Sequence, residues 1–372
     1  MKKLIFTNFL VDTTKSFFLV SLALSLIVWV IQSVNYLDLI IEDGHGFSLY
    51  FSYTVLNFPK IFSRLLPFLY FVTLFYKILE YEERNELIIF WSNGISKIEF
   101  INILIIFSIL ICFLQVLLSS YISPLGQNKA RSLLKNSSID FLPSLIKEGK
   151  FIDTIKGLTI FIDYKDEDQK YTNIFLTEEK DDGSKKIIYA ESGFLEINNN
   201  DKKFRLINGK IIDQNEEKSI EFSFDEINFD LSKYQSKTIT FPKIQETSSF
   251  KLLKCIIYNY KNKIQDYSET DFNCQLSTIV VVQQEVLRRF HLPIYLPLLS
   301  LLCGLLVTKS KEYIYYNRFK YCLFSFIFSI LVFSEISLKY SLINFSSFVF
   351  FITFPIIIFI IIYIIYSHEK KI

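Results

Sequence analysis

Six stretches of this chain are apolar over lengths that fit the thickness of a bilayer: residues 17–34, 58–78, 100–121, 293–307 with its flanks, 319–335 and 345–366. A helix needs about 20 mostly apolar residues to cross the hydrocarbon core. Inside it, only helices and closed barrels satisfy every backbone N–H and C=O. Each stretch therefore reads as a transmembrane helix. Composition agrees, because 51% of the residues are hydrophobic and 39 of the 372 are Phe, which is beyond an ordinary soluble chain of this size. The opening MKKLIFTNFLVDTTKSFF is followed by no small-residue cleavage site, so it reads as an interfacial helix leading into a retained first span.

Orientation follows from Lys and Arg in the short connections, which stay on the cytoplasmic side. With both termini inside, the cytoplasmic segments hold Lys2, Lys3, Lys15, Lys77, Arg84, Lys97, Lys309, Lys311, Arg318, Lys320, Lys370 and Lys371. Near span ends on the outside are Lys60, Arg64, Arg288, Arg289 and Lys339. Twelve against five favours this topology. The five exceptions lie at about one depth and invite a reason. Lys339 has a simple one available, since Glu335 sits one turn before it.

The long polar stretch between the third and fourth spans changes period. GLTIFIDY, KYTNIFLTE, KKIIYAES, GFLEINN, KKFRLING, KIIDQ and SIEFSFDEINFDL each alternate apolar and polar residues, and the breaks DDGS, NNND, NG and QNEE are turn formers. This predicts an antiparallel β-sandwich or open barrel of seven to ten strands, outside the membrane. The expected organisation is residues 1–135 for spans one to three, 136–250 for the β-domain and 251–372 for connecting helices and spans four to six.

The sequence carries no nucleotide-cradling GxxxxGK[ST] loop, no GxSxG and no HExxH. His45, His291 and His368 are far apart and read as interfacial residues. Of five cysteines, Cys112, Cys303 and Cys322 fall in apolar runs, while Cys255 and Cys274 read as isolated thiols that indicate neither a zinc site nor a disulfide framework. A net charge of +2 gives no reason to invoke nucleic acid. No catalytic residue, metal site or cofactor is expected.

One short connection is overbuilt. EERNELIIFWSNGIS, residues 82–96, predicts an amphipathic helix over about 82–93, with Leu87, Phe90, Trp91 and Gly94 on one face and acidic residues including Glu86 at its start. An exposed apolar face needs a partner. A helix lying flat on lipid would carry a basic polar face rather than an acidic one.

Six spans split three and three around a β-rich external domain resemble the lipopolysaccharide export permeases, the LptF/LptG family. Local motifs agree: PKIFSRLLP with Pro59 and Pro67, then ELIIFWSNGIS, then EVLRRFHLP with Glu285, Arg289 and Pro293. SEISLKYS near the end of the fifth span resembles the F-type paralogue, whereas QSVNYLDL at the outer end of the first lacks the basic residues some members carry there. The resemblance implies a membrane α-helical fold of six spans with an inserted periplasmic, jellyroll-like β-domain, in the bacterial inner membrane. It implies pairing with a paralogous six-span permease (LptG-like), a cytoplasmic ABC ATPase dimer (LptB-like) and a periplasmic jellyroll bridge protein (LptC/LptA-like). The substrate would be lipopolysaccharide, taken from the outer leaflet. On this reading Glu86, Leu87, Phe90, Trp91 and Gly94 couple to the ATPase, while Lys60, Arg64, Arg288, Arg289 and Lys339 meet lipid A phosphates. Phe161, Phe175, Tyr189 and Phe222 would line a groove for acyl chains, and the free edge of the domain would add a strand from the bridge. The alternative is a non-transporting anchored scaffold, which has no use for a docking helix.

Overall fold

The structure, a computed structural model, describes residues 2–37, 40, 46–137, 148–155, 157–166, 170–179, 185–198, 201–214, 219–231, 243–260, 274 and 277–369. His45 and most of the DDGS, NNND and QNEE turns lie outside the described residues. The chain divides into two units, one of Met1–Gln32, Leu56–Asn128 and Lys243–Ile372, the other of Ser33–Val55 and Lys129–Pro242.

Six helices are long and apolar enough to cross a membrane. They are α1 (Lys2–Asn35), α2 (Phe47–Glu83), and, after the short α3 (Leu87–Ser92), α4 (Lys97–Leu117) running through a π turn (Leu118–Ile122) into α5 (Ser123–Ser137). After the sheet and α6 (Ser249–Tyr260) come α7 (Ile279–Phe290), which continues through a 3-10 turn (Leu292–Ile294) into α8 (Tyr295–Gly304), then α9 (Tyr316–Tyr340) and α10 (Phe345–Glu369). The fourth span, α7 with α8, has the shortest apolar run in the sequence, and the structure gives the reason. Its most apolar window is 78% buried, against 11% for the last span. From Tyr295 to Gly304 every residue but Pro297 is buried, so α8 is apolar all round because protein surrounds it.

Two left-handed turns bound α3, and only the second carries a glycine. At the end of α2, Asn85 takes a left-handed φ of 60°, and Glu86 N–H donates to Tyr81 O while Asn85 N–H donates to Glu82 O. At the end of α3, Gly94 takes φ 67°, Ile95 N–H donates to Phe90 O and Gly94 N–H to Trp91 O. Both are Schellman closures. Ser96 then caps α4, its hydroxyl accepting from Glu99 N–H at 3.2 Å. The helix is shorter than the predicted 82–93, because Glu82 and Glu83 complete the last turn of α2.

The second unit holds six strands among its described residues: β1 (Lys150–Ile155), β2 (Leu158–Lys165), β3 (Lys170–Glu179), β4 (Lys185–Asn198), β5 (Asp201–Gln214) and β6 (Ser219–Asp230). They pair antiparallel in sequence order as one sheet, an open jellyroll-like domain with β1 and β6 at its edges. Seven to ten strands were expected. The excess arises because KKIIYAES with GFLEINN is one strand, β4, and KKFRLING with KIIDQ is another, β5; β1 precedes the first alternating segment read from the sequence. A crease explains the false breaks. The registers bring Asp163, Asn173, Glu191, Asn208 and Asp225 into one row across β2 to β6. Asn173 and Asn208 have φ of 50° and 51°, and Asn173 Nδ2 donates to Asp163 Oδ2 at 3.0 Å. At this row the inward phase slips by one residue, so Tyr171 and Ile174 are both buried although three apart, as are Ala190 and Gly193. Each half of the sheet keeps its apolar residues on the same side. Beyond the crease, Arg205 grips Glu226 through Nε and Nη2 at 2.7 and 3.0 Å, a hydrogen-bonded pair that holds the Glu226 carboxyl below the usual range.

Candidate functional site

Four of the five exceptional basic residues meet around one cavity of about 270 Å³ in the helical unit. Lys60 and Arg64 come from α2, Arg288 and Arg289 from α7, with Glu285 of α7 and Glu335 of α9 in the same lining. Four cations stand against two carboxylates. Lys339 does not line it and is exposed on α9, with no ion pair to Glu335 among the described residues.

Proline builds one wall. Pro67 has no N–H, so the carbonyl four residues earlier, that of Ser63, loses its helical partner. Gln115 of α4 supplies the missing donor, Nε2 to Ser63 O at 2.8 Å. Its own Oε1 is buried without a hydrogen-bond partner, as is Oε1 of Gln127, and both side chains line the cavity. Buried acceptors of this kind are normally satisfied by water or a ligand.

The four cations are not equivalent. Arg289 is spent within its own chain: its Nε donates to Glu285 at 3.0 Å, Nη1 to Thr247 O and Ser249 Oγ at 2.9 Å each, and Nη2 to Gln245 O at 2.9 Å. It fastens the turn leading into α6 onto α7. Arg64 donates to Gln245 Oε1 at 3.0 Å, and Arg288 lies 3.4 Å from Glu285. Lys60 makes no hydrogen bond or ion pair among the described residues. Lys60, Arg64 and Arg288 thus remain available to an anion. Sequence spacing gave no sign of this division of labour, which depends on the turn at residues 244–249.

Nearby, Cys255 of α6 is joined to Cys274 by a disulfide, with Cα atoms 6.0 Å apart. This corrects the reading of two isolated thiols. The pairing was invisible because Cys274 lies in a polar segment that only the fold returns to α6, where both cysteines pack with Leu252 and Val282.

Counting 1.5 Å per residue along α2, the Glu83 end of that helix, where the chain turns into α3, lies roughly 35 Å from Lys60. The expected open face of α3 is largely closed by the chain itself. Leu87 and Phe90 are 1% and 2% exposed, and Phe90 packs on Phe6, Phe9 and Phe100. Trp91 is half-buried, while Ile88 and Ile89 are 58% and 50% exposed. Glu86 and Gly94 remain at the surface ends of the helix. Glu82 accepts from Lys311 N–H at 2.8 Å and Lys97 donates to Thr308 O at 3.0 Å, so the segment after α8 closes over the same end.

In the β-unit the buried cluster is built from Ile152, Ile160, Ile162, Ile174, Leu176 and Ile188 with their neighbours. Phe161, Phe175 and Tyr189 are registered one residue off that phase, on the other face of the sheet. There Phe161 and Phe175 meet Phe151 with ring centroids 4.7 and 6.3 Å apart. Phe222 faces the cluster side, opposite Ile211, but is exposed on the edge strand. The four therefore do not share one lining.

The family model of the lipopolysaccharide export system permease LptF/LptG matches residues 9–369. The chain belongs to that family. The model covers both paralogues together, so the permease is not assigned to one of them. An uncharacterised protein of Rickettsia prowazekii (strain Madrid E) is 26% identical to this permease over 191 residues, 51% of this chain and 53% of that protein. The chain thus spans about half the length of the curated relative it matches.

Proposed function

We propose that this permease is one half of an ATP-driven exporter that takes lipopolysaccharide from the outer leaflet of the bacterial inner membrane. Both termini and α3 face the cytoplasm, and the β-domain faces the periplasm. Beside the basic-residue count, the disulfide supports this orientation, since such bonds persist in oxidising compartments and are rare in the cytosol.

The observation that carries the proposal is the cation-rich cavity set among apolar helices. Lys60, Arg64 and Arg288 hold the phosphates of lipid A, and the unpartnered carbonyls of Gln115 and Gln127 accept from its sugar hydroxyls. Acyl chains stay on the apolar flanks of the spans, because exposing each CH₂ to water costs about 0.8 kcal/mol. A cytoplasmic ABC ATPase dimer docks on α3 through Glu86, Trp91 and the exposed Ile88 and Ile89. Leu87 and Phe90 shape that surface from within, and Gly94 ends it at the surface. A paralogous permease completes the assembly, and a periplasmic jellyroll protein adds a strand at the open edge of β1 or β6.

A pull-down of the tagged chain from native membranes, with mass spectrometry, tests this. Recovery of an ATPase and a second six-span protein is expected. Recovery of the chain alone would leave the anchored scaffold as the better account.

A further inference from the structure

The contacts that hold α3 do not stop at α2 but continue into the first span. From Glu86 a run of alternating charges leads inward. Arg84 is 3.9 Å from Glu86 and 2.6 Å from Glu80; Lys77 is 2.7 Å from Glu80 and 2.9 Å from Asp12 of α1. The Lys77 side chain is only 9% exposed. So enclosed an ammonium is tolerated because two carboxylates converge on it, one from its own helix and one from α1. Beside this run, Phe90 meets Phe6 and Phe9 edge-on at 5.5 and 6.1 Å, and Phe9 meets Tyr81 and Phe100 at 4.9 and 5.2 Å. Past the C-terminal end of α3, Lys2 donates to Gly94 O at 2.8 Å and lies 3.3 Å from Glu99.

The α1 residues involved are Lys2, Phe6, Phe9 and Asp12, spaced four, three and three apart, which is one face of a helix over three turns. Further along, α1 is held along one narrow face. Phe17, Ser21 and Ser25 are buried and Phe17 packs on Tyr70, while Leu19, Leu22, Ile27 and Ile31 are 55–71% exposed, so the rest of the rod is gripped from one side only. The covalent link from α2 to α3 runs through the left-handed turn at Asn85, closed by two backbone hydrogen bonds, so α3 is tied to α2 by the chain and to α1 by side chains.

We propose that residues 2–12 of α1 belong to the coupling device, with Lys77 and Asp12 as positioning residues that make the first span follow α3. The interlocked rings transmit a push because close-packed side chains compress little. The Lys77–Asp12 pair fixes the azimuth of α1, so that a shift of α3 turns or tilts the span instead of slipping past it. This rests on the reading of α3 as the surface where the ATPase docks.

The test uses the reconstituted complex of ATPase, both permeases and lipopolysaccharide in proteoliposomes, reading hydrolysis and release together. Asp12→Asn cuts the tie to α1 but leaves Lys77 its second carboxylate, Glu80, and the Asp12 side chain is 45% exposed, so the fold holds. The expected result is a retained ATPase, near wild-type hydrolysis, and release per ATP lower by on the order of tenfold. Asp12→Glu and Lys77→Arg, which keep the charges, should restore most of it. Unchanged release per ATP in Asp12→Asn overturns the proposal. So does a loss of hydrolysis and release by the same factor, or a fall in folded yield that Asp12→Glu shares. Failure of the wild-type chain to retain an ATPase would instead strike the docking reading itself, and that shows before any variant is compared.

Discussion

Arg289→Met separates a clasp from a ligand. The wild-type side chain is 2% exposed and gives one charge-assisted bond to Glu285, two bonds to the backbone carbonyls of Gln245 and Thr247, and one to the Ser249 hydroxyl. Removing one member of a buried ion pair costs about 3–5 kcal/mol, because the other charge stays behind unpaired. Each carbonyl left dry adds about 1–3 kcal/mol, although the adjoining cavity lets water recover part of that. A net loss of about 4 kcal/mol corresponds to a fall of roughly 8–16 °C in the melting midpoint at the scale of a 150–250-residue domain. The assay is thermal unfolding of the purified permease in detergent. Arg289→Lys should not rescue, since an ammonium lacks the planar fork that reaches the carboxylate and the carbonyls together. Glu285→Gln combined with Arg289→Met should recover part of the loss, because no uncompensated carboxylate remains. If Arg289→Met melts like the wild type yet loses lipopolysaccharide crosslinking, the clasp is refuted and Arg289 is a substrate ligand, as its place in the sequence suggests.

Charge reversal at Lys60 and Arg288 together should lower lipopolysaccharide photo-crosslinking with little change in melting, whereas Lys339→Glu should crosslink as the wild type; equal losses from both would dissolve the cavity as the binding element. Gly209→Val drives a Cβ into Tyr189 O and the Phe224 ring, so limited proteolysis should cut the β-domain of the intact permease much faster, and an unchanged digestion pattern would contradict the register of β4 with β5. Cys255→Ser opens a link across 19 residues of sequence, costing about 3 kcal/mol; in wild-type membranes neither Cys255 nor Cys274 should take up a maleimide until reductant is added, and labelling without it would remove the disulfide.

The six spans were legible because a bilayer demands one crude property, apolar length, that composition reveals without any knowledge of packing. The two turns flanking α3 were half legible. Asn93-Gly94 announced its end, but Asn85 at the end of α2 is a single left-handed Asn without a glycine, and its neighbours Glu82 and Glu83 look like a helix start. The breaks read within β4 and β5 failed for a physical reason. Period-two reading assumes that a strand keeps its phase, and the row Asp163, Asn173, Glu191, Asn208 and Asp225 shifts that phase without ending any strand. Alternation also names two faces and does not say which is covered. Ile and Leu took the inside, leaving Phe161, Phe175 and Tyr189 on the reverse.

The candidate site shows the same limit more sharply. Lys60 and Arg64 announce themselves as neighbours one turn apart, and Arg288 and Arg289 are adjacent, so their place near span ends could be read from the chain. What each cation does depends on which acceptors reach it, and those arrive from residues 244–249, far along the sequence and polar enough to pass for linker. Adjacent residues on a helix point about 100° apart. At α7 that angle is sufficient to turn one arginine into the turn before α6 and leave the next toward the cavity. Identical side chains, consecutive in sequence, therefore have different partners, and if the cavity takes the substrate as proposed, their variants should fail in different ways: Arg289 through stability, Arg288 through substrate capture alone.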